Sequence, residues 1–132
     1  CNIWKDGRVD LQRLVNVDNG RLNIFSSIAF LLKSLKAFKD IRVRFGLFCD
    51  VTIGITILNA NAIPIGPADF FNEKLKFDQS KVNKAETFRY DELKELETIC
   101  KYFVEELLLE IGVAISEEPK NQIIREIMDS VI

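Results

Sequence analysis

Four carboxylates within one stretch of the chain, Asp50, Asp69, Glu73 and Asp78, are the side chains whose type and spacing come closest to chemistry. Converging carboxylate oxygens can hold Mg²⁺, and bound Mg²⁺ activates water against phosphate esters, so this set defines one alternative: a Mg-dependent phosphohydrolase or nuclease. Asp50 is the most telling member, because a carboxylate beside a buried strand is costly unless it turns to water or meets a cation. Plainer roles compete with this one. Asp50 suits a turn, and Asp69, following Pro67 and Ala68, suits the first turn of a helix, where an acid complements the macrodipole.

The sequence withholds most other catalytic designs. Histidine is absent from all 132 residues, which removes Ser-His and Cys-His nucleophile pairs, histidine-ligated zinc and the usual general base near neutrality. The six glycines stand singly, and no GxSxG, GxxxxGK[ST] or GxGxxG occurs, so no nucleotide cradle is visible. The reading leans away from an enzyme, with no catalytic residue outside the four carboxylates, no cofactor and no metal site expected. The only local echo is DGRVDL at residues 6–11 against NGRLNI at 19–24. Placing Gly7 at the sixth position of a calcium loop puts Asp6 at the fifth and Asp10 at the ninth, but Trp4 and Arg13 then fall where oxygen ligands must sit. In the second copy Val15 and Val17 fail the same test. Asp-Gly and Asn-Gly instead supply the positive φ of two-residue hairpin turns, so the echo predicts two turns flanked by short strands.

Charge is unevenly placed. Residues 1–50 hold nine Lys/Arg against five Asp/Glu, a balance of +4, and residues 51–132 hold nine against fifteen, a balance of −6. Lys33, Lys36, Lys39, Arg42 and Arg44 form the basic cluster. If residues 41–48 are a strand, Arg42 and Arg44 share a face with Phe48, a combination that contacts phosphates and stacks a base. Single-stranded nucleic-acid binding is therefore a second alternative, against which stands an overall pI of about 5.3.

The elements that would position these groups follow from periodicity. Ile24, Phe25, Ile28, Leu31, Leu32, Leu35 and Phe38 recur at helical spacing after Asn23, a natural cap, predicting an amphipathic helix over 24–39. From Ile41 to Ile57 apolar residues alternate with polar ones, predicting strands 41–48 and 51–58 split near Cys49-Asp50, with the odd positions facing the core. A third strand is expected at Ala62 to Ile65. Residues 66–86 lack a long period; a short helix at 68–73 and a mobile excursion or recognition loop at 74–84 are expected there. Two helices follow, over 91–111 and from a cap at Ser116, with Pro119 in the permissive first turn.

This order predicts one α+β domain over residues 1–132: a small antiparallel sheet of about 3–5 strands covered on one face by three helices. A hydrophobic fraction of 48% with 29% charged residues is an ordinary globular balance, and no stretch reaches the roughly 20 apolar residues of a membrane span. Three cysteines without metal-ligand spacing suit reduced thiols in a cytoplasmic compartment. Cys1 at the first position leaves both a trimmed start and a processed N-terminal cysteine open.

The apolar stripe of the 91–111 helix is wider than one buried face needs. Leu96, Cys100, Phe103, Leu107 and Ile111 run along its centre, and Ile99, Tyr102 and Leu109 lie at its edges, where an interface is expected. With no catalytic motif, the reading favours a non-enzymatic protein-interaction or regulatory module of adaptor, inhibitor or chaperone type. A protein partner or self-association, as a homodimer or a subunit of a larger assembly, would occupy it.

Overall fold

The computed structural model describes residues 2–3, 9–10, 17–18, 20–44, 46, 49–67, 71, 75–89 and 91–131. Strands β1 (Asn2–Ile3) and β2 (Val9–Asp10) pair antiparallel; the Asp6-Gly7 turn expected between them lies outside the described residues. β3 (Val17–Asp18) and β4 (Arg21–Asn23) form the second hairpin, with Asp18 opposite Arg21. Gly20 adopts φ 75° between them, the positive φ that such a tight turn demands and that glycine meets without a Cβ penalty.

Asn23 ends β4 and caps α1 (Ile24–Arg44), its Oδ1 accepting the Ser26 N–H at 3.1 Å. This helix overruns the predicted end at residue 39 and takes in residues expected to begin a strand. No glycine or proline interrupts the chain before Gly46, and each further turn adds a hydrogen bond to a nucleus already formed. The alternation at Ile41 and Val43 is helix surface: these side chains are 43% and 57% exposed, and Arg42 between them is buried. Gly46, at φ 63° and donating its N–H to the Val43 carbonyl, turns the chain off the helix.

β5 (Val51–Leu58) is the second half of the predicted strand pair, and it alternates as expected. Ile53 and Ile57 are buried, Val51 and Ile55 half-buried, and Thr52, Gly54, Thr56 and Leu58 exposed. Residues 41–44, expected to begin its partner, belong to α1 instead. β6 (Ile65–Gly66), in place of a strand over 62–65, runs parallel to β4. β7 (Lys81–Phe88) pairs antiparallel with β5 over its whole length, from Val51 opposite Phe88 to Leu58 opposite Lys81. Much of the expected excursion at 74–84 thus leads into, or belongs to, an ordered strand. The predicted helix at 68–73 falls almost wholly outside the described residues.

A 3-10 turn at Glu92–Lys94 leads into α2 (Leu96–Ile111), and α3 (Glu117–Val131) follows with Pro119 in its first turn. The class is α+β, as expected. The described strands divide among three ladders, β1–β2, β3–β4–β6 and β5–β7. The three helices pack on one another, and α2 also lies against β7. Ile28 and Leu32 of α1, Ile99, Phe103 and Leu107 of α2 and Ile123 of α3 are fully buried in their common core. Among the described residues no helix is long and apolar enough to cross a membrane.

Candidate interaction surface

The β5–β7 ribbon has two unlike faces because its side chains alternate. Inward, Phe88 packs edge-on against the Tyr102 ring, centroids 5.7 Å apart, and Tyr102 meets Phe103 edge-on at 5.1 Å. The Tyr102 hydroxyl donates to the Ala85 carbonyl at 3.3 Å, and burial first, then Glu106, pushes its pKa up. Lys84, also on the inward face, reaches Glu110 at 2.8 Å and Glu106 at 4.0 Å. The Glu110 hydrogen bond raises the Lys84 pKa against the opposing effect of burial. Charge and aromatic contacts together fasten β7 to α2.

Outward, the ribbon is small, polar and exposed. Thr52 and Thr87 share a hydroxyl hydrogen bond of 2.8 Å, and the Thr56 hydroxyl donates to Asn83 Oδ1 at 3.0 Å. Gly54 faces Ala85, whose Cβ would lie 3.3 Å from a Cβ added at the glycine. Leu58 closes this face at 62% exposure.

The two edges differ in charge. β7 carries Lys81, Lys84 and Glu86, whereas β5, VTIGITIL, carries no charged residue over eight positions. β5 pairs with β7 and with no other described strand. Alternate backbone N–H and C=O groups along its other edge therefore lack a ladder partner among the described residues, and edges of this kind accept further strands.

The predicted interface residues separate. Leu109 is 71% exposed, as an edge position should be. Ile99 is 0% exposed, because α1 and α3 enclose the side of α2 that sequence spacing placed at its margin; it is a core residue. Tyr102 is half-buried and tied to β7.

The other predicted sets are described only in part. Asp50 and Asp78 are exposed, and Asp69 and Glu73 lie outside the described residues. Among the described residues no three Cys, Asp or Glu side chains converge as a metal ion would require. Lys33, Lys36, Lys39 and Arg44 are exposed on α1, and Arg42 turns into the protein. The Arg42–Arg44 sheet platform is thereby corrected to the last turn of α1, with Arg42 buried and Arg44 exposed, and Phe48 lies outside the described residues. Lys36, Lys39 and Arg42 border an apolar crevice of about 160 Å³ lined also by Phe38, Val51, Ile99 and Met128.

Sequence reasoning missed β7 and the Lys84 contacts. The available signal was Val82 and Phe88 at even spacing around Lys84 and Glu86, a face whose centre is polar, with Lys84 pairing to helix carboxylates rather than packing as apolar core. Comparison with protein-family models, with curated proteins and with solved structures finds no match in any of the three.

Proposed function

We propose that this chain works without catalysis, by binding protein, as a homodimer or as one subunit of a larger assembly. The observation that carries the reading is β5: eight uncharged residues, one edge unpaired among the described strands, and an exposed leucine at its end. Exposed strand edges are ordinarily guarded by charge, proline or a covering element, and main-chain hydrogen bonding to such an edge is a recurrent mode of protein recognition. An adaptor, inhibitor or chaperone role needs no further chemistry than this.

Affinity capture from the source organism with the wild type and with a Thr52→Lys/Thr56→Lys variant tests the reading. Both threonines face solvent, so lysines there guard the edge without entering the core. A partner retained by the wild type and lost with the lysine pair, at unchanged melting temperature, is the expected result. Identical capture by both proteins, or capture by neither together with a monomeric wild type, overturns the assignment to β5.

A further inference from the structure

We propose that β5 pairs with β5 of a second copy of this chain, antiparallel about a two-fold axis through Gly54, joining the two ribbons into one continuous sheet. This deepens the reading that the β5 edge binds protein, and rests on it.

The register follows from face and charge. A two-fold axis perpendicular to the sheet keeps each side chain on its own face, and residues directly opposite in an antiparallel pair share a face. Outward even positions must therefore meet even positions, and inward odd positions must meet odd ones. Centring on Gly54 sets Thr52 opposite Thr56 of the second copy, Ile53 opposite Ile55 and Val51 opposite Ile57. Half-buried Val51 and Ile55 thereby gain apolar neighbours on the inward face. The outward row Thr87, Thr52, Thr56, Asn83 continues across the axis the side-chain bonds already present within each ribbon. At the axis Gly54 meets Gly54, and no side chain intervenes.

Charge complementarity selects this register among its neighbours. Asp50, one residue before β5, falls opposite Leu58 of the second copy, whose ladder partner is Lys81. Leu58 and Lys81 lie on the outward face and Asp50 is exposed; with the strand's alternation carried on by one residue, Asp50 and Lys81 stand two strand spacings apart, about 9.5 Å between Cα atoms, a gap a lysine side chain spans. Neither is ion-paired with a described residue within its own chain. The symmetric contact places an Asp50–Lys81 pair over each Leu58, covering the most exposed apolar residue of the strand. Centring on Ile55 instead sets Asp50 opposite Ala60, and centring on Ile53 sets it opposite Thr56; both forfeit the pair.

A cysteine crosslink reads the register directly. In a Cys49→Ser background, Thr52→Cys/Thr56→Cys places a thiol of each copy opposite a thiol of the other, while residues 52 and 56 of one strand are about 13 Å apart and cannot bridge internally. Oxidation with glutathione disulfide should convert the double variant to a covalent dimer and leave Thr52→Cys alone or Thr56→Cys alone uncrosslinked. Sedimentation velocity should show a dimeric wild type, a monomeric Thr52→Lys/Thr56→Lys variant with unchanged circular dichroism, and weakened dimerisation in Asp50→Lys restored by adding Lys81→Asp. A wild type monomeric at NMR concentrations, or equal crosslinking of the single variants, overturns the symmetric pairing. In that event, loss of a captured heterologous partner from the lysine variant still upholds the β5 edge as a protein-binding surface, and no such loss overturns both.

Discussion

Cys100 lies in the middle of α2 with 0% exposure, and its thiol is pushed up to about 12, by burial first and by Glu97 second. Because the folded value lies above the ordinary one near 9, folding favours the neutral thiol. That contribution is complete below the unfolded value and is lost as pH climbs through the folded one. The melting temperature should therefore fall over this alkaline window more steeply in the wild type than in Cys100→Val, which lacks the titrating group. Exposed Cys49 should be alkylated in the native protein, while Cys100 reacts only on unfolding, as peptide mass mapping can check. Ile99 and Leu109 contrast in the same way. Ile99→Glu places a carboxylate at a position with 0% exposure and should prevent folding rather than merely impair association. Leu109→Glu, at 71% exposure, should shift stability by no more than about 0.5 kcal/mol. Denaturant titration separates the two. Sequence spacing put both residues at the margin of one stripe; which margin α1 and α3 enclose is not encoded in the period of α2.

Elements show where local signals suffice and where they mislead. Asn23 before an apolar period marked the start of α1 correctly, because a cap acts within one turn. Its end carries no such mark, since apolar residues alternating with arginines at 41–44 suit a strand as well as the last turn of a helix, and only continuation of the hydrogen-bonded ladder separates the two. For β7 the inward face reads Val82, Lys84, Glu86, Phe88, a pattern that becomes a strand only once β5 lies beside it and Glu110 receives Lys84. A double-mutant cycle of Lys84→Met and Glu110→Gln should give a coupling of about 0.2–1 kcal/mol, in keeping with a partly exposed pair, shrinking as salt is added. Phe103→Ala, which empties a fully buried site where α2 meets Phe88 of β7 beside the Tyr102 ring, should cost about 3–5 kcal/mol by chemical denaturation.

At the scale of the whole molecule, Lys120 joins two helices, donating to Glu105 of α2 at 3.1 Å and to Glu117 of α3 at 2.8 Å. Its hydrogen bond holds the Glu117 carboxyl below the usual range, so the stabilisation it brings is present above the ordinary carboxylate pKa and is lost as pH falls through the depressed one. Lys120→Met should accordingly be slightly less stable than the wild type near neutrality and converge with it in acid, so that the acid limb of its stability-against-pH curve is flatter. The α+β class, the absence of histidine chemistry, the second hairpin turn, the core stripe of α2 and the alternating faces of β5 are determined by the sequence itself, for each rests on residue type or on periods shorter than one element. Strand partnership, the burial of Ile99 and the inward turn of Arg42 were decided by tertiary structure. Those outcomes depend on which surfaces distant segments bring together, and β5 meets β7 across an intervening chain that carries no record of the pairing. The unguarded edge of β5 belongs to both: its lack of charge is written in eight residues, and its lack of a described neighbour is a property of the fold.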